Sequence, residues 1–256
     1  MSDAIANTLS VARLEWRRLI VRPLAWVLAA LTLAWLAWNF TLLLGGFLAG
    51  QIQRAALPDG PGFTDLVAVP LLAQLAQLAF LVVPLLSMSV LAGERRNGTL
   101  PLLFAAGVSA AQIALGKYLA VLGWLLLWLA LTLAMPLALM HATHLDWGKL
   151  AAATLGLLLL LAALAALGVA CSSFASHPAI AAAIALVITL ALWSVNLGAQ
   201  MAGLNGGAIN WLAMSTHEQM LLRGLVSTTD IVWFVLLIVL ALALATRRLS
   251  GDRERG

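Results

Sequence analysis

The sequence predicts an all-α, polytopic membrane protein with six transmembrane helices, and three observations carry that expectation. Of 256 residues, 63% are hydrophobic and 9% charged, with a mean hydropathy of +1.04; a soluble domain carries roughly 25% charged residues. The apolar residues fall in long unbroken runs, and a run of about 18 or more reads as a span. The 14 Lys and Arg are divided unevenly between the two sides of that pattern, which sets an orientation.

Residues 4–21 come first. Ile5, Leu9, Ala12, Trp16, Leu19 and Ile20 share one helical stripe, with Arg13 and Arg17 beside it. Such a segment lies in the interface with its basic side toward anionic headgroups of the membrane lipids. Spans are expected at 24–49, 66–92, 114–140, 150–174, 178–199 and 231–247, each long enough for a hydrocarbon core of about 30 Å. The first contains Trp26, Trp35 and Trp38 and outruns the h-region of a signal peptide, so it reads as a retained helix. Pro84, in the middle of the second span, should kink it. Residues 200–230 are too polar to cross and too apolar to hang free. Trp211, Leu212, Met214, Met220, Leu221, Leu222 and Leu225 suggest one or two short helices at the outer face. Arg253-Glu254-Arg255 reads as a frayed tail. No repeat or soluble domain interrupts this single transmembrane domain, residues 1–256.

Of the 14 Lys and Arg, only Arg54, Lys149 and Arg223 fall on one side. The others run from Arg13, Arg17, Arg18 and Arg22 through Arg95, Arg96 and Lys117 to Arg247, Arg248, Arg253 and Arg255. The positive-inside rule puts this larger set, and both termini, in the cytoplasm. The net charge of +4 is explained by that distribution and does not imply nucleic acid.

Several chemistries are disfavoured. A lone Cys171 allows no internal disulfide and no cysteine-built metal site. All Asp, Glu, Lys and Arg can be placed in loops or at membrane edges, so a proton-driven transporter lacks the mid-membrane titrating group it needs. Gly116-Lys117 resembles the end of a phosphate-binding loop, but Ala111 stands where the first Gly belongs and Tyr118 replaces Ser or Thr. Lys117 therefore reads as an interfacial lysine near a helix start. His217-Glu218 opens a zinc-protease-like motif whose second ligand position is Leu221, and His141, His144 and Asp146 read as a solvated turn. With no nucleophile–base pair in evidence, an enzyme is not expected and the metal and catalytic sites are read as none.

The stretch 93–113 is the informative cytoplasmic loop. After Glu94-Arg95-Arg96-Asn97-Gly98, Thr99 is positioned to cap a short helix from Leu100 to Ala106, with Pro101 in its first turn and Gly107 ending it. Ser109 and Gln112 form a capping box that opens the third span. The short helix bears Leu100, Leu102, Leu103 and Phe104, and its apolar side must rest on lipid or beneath a partner protein.

The string Gly93-Glu94-Arg95-Arg96-Asn97-Gly98-Thr99-Leu100-Pro101-Leu102-Leu103, with Val108-Ser109 and Gly116-Lys117-Tyr118, resembles the ABC-2 type permease family. Ala106-Gly107 stands where that family usually has Pro before Val-Ser. Glu15-Trp16-Arg17-Arg18, Pro23-Leu24-Ala25-Trp26 and the stretch from His217-Glu218 to Thr229-Asp230 resemble its gliding-motility-associated branch. The resemblance implies a type V exporter-like permease of a bacterial inner (cytoplasmic) membrane, working as a pair of identical or paralogous permease subunits. It implies two copies of a separate ABC ATPase subunit carrying the ATP and Mg, so no cofactor in this chain. An auxiliary periplasmic-domain protein is a further candidate partner. It makes residues 1–23 the connecting helix, 93–113 the coupling loop and 200–230 the outer-face hairpin. The ATPase-coupling candidates are Glu94, Arg95, Arg96, Gly98, Thr99, Leu100, Leu102, Leu103 and Phe104. Asn39, Gln74, Gln77, Ser194 and Asn196, all in the outer half of the spans, either line a translocation path or only bond helices together. Small residues at Gly168 to Ser172 and Ala179 to Ala183 permit close contact with a second subunit. The alternative is a membrane-embedded enzyme or a scaffold without transport activity.

Overall fold

The computed structural model describes residues 2–51, 60–201 and 211–255. Arg54 and the 202–210 part of the expected outer hairpin lie outside the described residues. Helix α1, Ser2–Val21, is separated by Arg22 from α2, Pro23–Ala49, because a proline at the first helical position cannot donate to the preceding turn. A π-helical turn, Thr64–Ala68, leads into α3, Val69–Ser87. Two short helices follow, α4 (Ala92–Arg96) and α5 (Leu100–Ala105). Then come α6 (Ala110–Leu137), α7 (Trp147–Phe174), α8 (Pro178–Met201), α9 (Met214–Leu222) and α10 (Thr228–Arg255).

Among the described residues every regular element is helical, and six segments are long and apolar enough to cross a membrane. The first five coincide with the expected spans to within four residues, and the last, expected at 231–247, runs over 228–254; two further readings are corrected. Pro84 lies in the last turn of α3, which ends at Ser87, so the proline marks where the span gives way to the loop rather than a bend at mid-span. The 253–255 tail is not frayed: α10 continues to Arg255, and Asp252 on it is paired with Arg95.

Helix α7 is the internal mast, with 78% of its most apolar stretch buried against 11% for α2 and 22% for α8. Its small residues permit this. A Cβ on Gly156 would sit 2.6 Å from the Cβ of Leu221 on α9, and one on Gly168 would collide with Ser87. The segment Gly168–Ser172, expected to face a second subunit, is thus consumed inside the chain, whereas Ala179 and Ala183 on α8 are exposed.

Helix α1 packs along α6 through the same device. A Cβ on Gly116 would lie 2.8 Å from Val11, and one on Gly123 would lie 2.9 Å from the Trp16 ring. The inward face is Val11, Glu15 and Leu19, while Ile5, Leu9 and Ile20 of the expected stripe point outward. Besides that stripe, α1 carries a second, narrower face cut to fit Gly116 and Gly123 of α6.

Candidate functional site

The functional candidates gather at the basic end of the bundle, where α1 and α10 finish, α6 begins and α4 and α5 form the turn between spans. At its centre is a cluster of four charges, of which Glu15, Glu94 and Lys117 are buried and Arg18 is exposed. Lys117 on α6 is 1% exposed and donates to Glu15 on α1 at 3.0 Å and to the Val90 carbonyl at 2.7 Å, and its Nζ lies 3.0 Å from a Glu94 oxygen on α4. Arg18 closes the ring from the rim, 2.6 Å from Glu94 and 3.3 Å from Glu15. Two carboxylates and two cations balance, the arrangement that lets charges persist out of water.

The backbone between α3 and α4 is held separately. The Ser172 hydroxyl on α7 accepts hydrogen bonds from the Leu91 and Ala92 amides and donates to the Met88 carbonyl, all at 3.0 Å. Arg95 reaches across to the Ser173 and Ala175 carbonyls at the end of α7 and pairs with Asp252 on α10. The stretch preceding α5 is therefore tied to α1, α6, α7 and α10. Gly98 and Gly107, at φ 67° and 79°, turn the chain into and out of α5 in a conformation that favours glycine.

The sequence-derived coupling residues sort into distinct places. Glu94 faces inward, Arg95 bridges two helices, and Arg96 and Gly98 are exposed. Thr99 does not cap α5: its backbone is helical and its hydroxyl reaches back to the Glu94 carbonyl. The Ser109–Gln112 capping box forms as expected. Leu100 is buried, and Leu103 and Phe104 are half-buried against the chain's own core. Only Leu102, 68% exposed, presents a large apolar side chain outward from α5, so the free apolar face is narrower than the sequence suggests.

Glu15 and Lys117 are not among the sequence-derived candidates, and Lys117, expected as an interfacial lysine near a helix start, is buried between Glu15, Glu94 and the Val90 carbonyl. One signal was available: Glu15 and Glu94 each precede an Arg-Arg pair closely, leaving two acids on the basic side that need internal partners.

The polar residues of the spans do not converge. Asn39 donates to the Trp35 carbonyl of its own helix, Gln77 and Ser194 are exposed, and Gln74 is half-buried. Asn196 donates to Thr216 at 3.3 Å, joining α8 to α9. The opposite end has its own pins: Lys149 pairs with Asp65, and Thr64 accepts from the Asp146 amide at 2.9 Å. His217 Nδ1 lies 2.6 Å from Asp230, Nε2 lies 2.8 Å from the Trp211 carbonyl, and the ring stacks on Trp233 at 4.9 Å. Both ring nitrogens are engaged, which suits a structural pin at the hairpin rather than a metal ligand. Beside it, burial pushes the Glu218 carboxyl up to about 7. His141 and His144 are exposed, and Asp146 caps α7 through the Lys149 amide.

The sequence model of a family described as "ABC-2 family transporter protein" matches residues 61–247. The match takes in the loop from α3 to α6 and α9, and leaves α1 and α2 outside it. None of the curated proteins matches the chain significantly.

Proposed function

The chain belongs to the ABC-2 family of transporter proteins, and from that premise we propose that it is the permease subunit of an ATP-driven exporter whose ATPase docks at the basic end of the bundle. Family membership makes it a multi-pass transport component of a membrane, not itself catalytic. The finer reading places both termini in the cytoplasm of a bacterium with the chain in its inner membrane, on the strength of the Lys and Arg distribution. Two ATPase subunits, each supplying ATP and Mg, act on a pair of permease chains, identical or paralogous, and an auxiliary periplasmic protein is a further partner. The resemblance of Glu15-Trp16-Arg17-Arg18 and of the His217–Asp230 stretch supports the gliding-motility-associated branch.

One observation carries the coupling role. Helix α5 projects Leu102 outward from a loop in which Glu94 is bound to α1 and α6, Arg95 to α7 and α10, and the Leu91 and Ala92 amides to α7. A push on α5 is therefore delivered to α1 through Glu94, to α6 through Lys117 and to α7 and α10 through Arg95. A loop tethered only by its ends would absorb the same push. Glu94, Arg95 and Ser172 act as positioning groups, and Leu102 is the contact.

The test uses Leu102→Asp in the tagged full chain. A charge in a desolvated contact is expected to release the ATPase from the purified complex, while the thermal unfolding midpoint of the permease stays within about a degree or two, as expected for an exposed position. Undiminished copurification with unchanged hydrolysis would remove the coupling assignment. Leu103→Asp and Phe104→Asp are poorer probes, because both side chains pack on the chain's own core.

A further inference from the structure

Helices α8 and α10 both pack along α7, and at the end of α7 far from the charge cluster α9 closes the space between them. There Leu221 of α9 meets Gly156 of α7, Thr216 accepts from Asn196 of α8, and His217 is held by Asp230 of α10. Toward the basic end, among the described residues, no element takes that place. A cleft of about 280 Å³ separates α8 from α10 there, with α7 as its floor. Leu167 and Phe174 of α7, Ile184 and Ile188 of α8, and Leu240 and Leu244 of α10 line it, and the lining carries no charged residue. Phe174, Leu240 and Leu244 are exposed, so the cleft is open from the side. From Leu167 to Phe174 the helix rises about 10 Å at 1.5 Å per residue, which keeps the cleft within one leaflet of a hydrocarbon core about 30 Å thick.

That depth decides the occupant. A partner's transmembrane helix needs the whole thickness, and α9 with its three pins stands in the far half of that path. Apolar walls offer water no partners, and left empty they would forgo their dispersion contacts. A hydrocarbon chain entering from one leaflet fits both the length and the walls. The mouth adds a charge. Arg248 lies one turn beyond Leu244 on the same face of α10, and its side chain is 33% exposed. Asp252 pairs with Arg95 and lies 3.6 Å from Arg248. One carboxylate facing two guanidiniums leaves a net positive charge, suited to phosphate oxygens. We propose that this cleft is a binding site for an anionic phospholipid, with one acyl chain between α8 and α10 and the phosphate on Arg248. The site depends on these helices spanning a membrane and stands or falls apart from ATPase coupling.

The experiment is a titration of the full-length protein, stripped of lipid in a mild detergent and read by native mass measurement. Phosphatidylglycerol, phosphatidylcholine and glycerol 3-phosphate are the three probes. Phosphatidylglycerol is expected to bind several-fold more tightly than phosphatidylcholine, and glycerol 3-phosphate, which has no acyl chain, more weakly than either. Leu240→Trp with Leu244→Trp fills the cleft and should weaken phosphatidylglycerol binding by about tenfold or more. The same changes at Leu31 and Leu42, exposed on α2, should leave it unaltered. Leu244→Trp alone is the milder variant should the double change disturb folding, and should weaken binding less. Arg248→Gln should bring phosphatidylglycerol down to the phosphatidylcholine level, while Arg248→Lys keeps part of the preference. Equal effects of the α2 and α10 changes, or none from either, would identify an adventitious annular lipid only and overturn the site. Equal affinity for the two lipids in the unaltered protein would overturn the phosphate contact. Glycerol 3-phosphate as tight as lipid would overturn the acyl-chain assignment in favour of a soluble anion. Tryptophan variants that change the number of permease chains per complex and leave lipid binding intact would overturn it in favour of a protein.

Discussion

At the scale of single residues, Lys117 decides most. It is 1% exposed and touches Glu15, Glu94 and the Val90 carbonyl. Removing one partner of a buried pair leaves a charge without compensation and costs about 3–5 kcal/mol, whereas removing the whole set at similar volume is often neutral. Lys117→Met should therefore lower the thermal unfolding midpoint in detergent markedly, and the triple variant Lys117→Met, Glu15→Gln, Glu94→Gln should recover much of the loss. A triple variant less stable than the single one would contradict the cluster as described. Glu218 has the opposite character, a carboxyl pushed up to about 7 by burial on α9. Its folded-state value lies above the unfolded one, so the folded chain binds more protons between about 4.5 and 7 and loses stability as pH rises through that window. Glu218→Gln should leave stability unchanged at pH 4 and raise it at pH 8 by up to roughly 3 kcal/mol. A variant with the same pH profile as the parent would show that the carboxyl ionises freely. Lys117 was hard to read in the sequence because burial depends on what lies across from a residue, and its partner Glu15 is 102 positions away.

At the scale of elements, the helices were legible because membrane spans announce themselves through length and composition, and the Ser109–Gln112 box and Gly107 stop are local chemistry. Faces were less legible. The Val11–Glu15–Leu19 side of α1 is defined by Gly116 and Gly123 on α6, and no periodicity within α1 reveals a complementary groove elsewhere. The same holds for Leu103 and Phe104, which looked free until the core behind them was known. The loop from α3 to α5 depends on Ser172, whose hydroxyl satisfies two amides and one carbonyl. Ser172→Ala leaves those groups unpaired in a buried place, at a cost of about 1–3 kcal/mol. Hydrogen exchange should rise selectively at residues 88–96 while α6 and α8 keep their protection. Uniform exchange across the chain would show that Ser172 supports global stability rather than this loop.

At the scale of the molecule, the two ends differ. One carries the charge cluster, Arg95–Asp252 and α5; the other carries Asp65–Lys149 and the His217–Asp230 pin. Between them the polar span residues Asn39, Gln74, Gln77, Ser194 and Asn196 are scattered, Asn196 bonding to Thr216 and Gln77 and Ser194 facing outward. On the function proposed above, mechanical work enters at the basic end from another protein, with position 102 as the contact. A photo-reactive amino acid in place of Leu102, activated in intact membranes, tests this most directly. The account predicts a covalent adduct with an ATP-hydrolysing chain, and no adduct with that chain from the same substitution at Leu42, an exposed position within α2. Adducts at position 102 with lipid alone, or with a protein of the opposite membrane face, would contradict it.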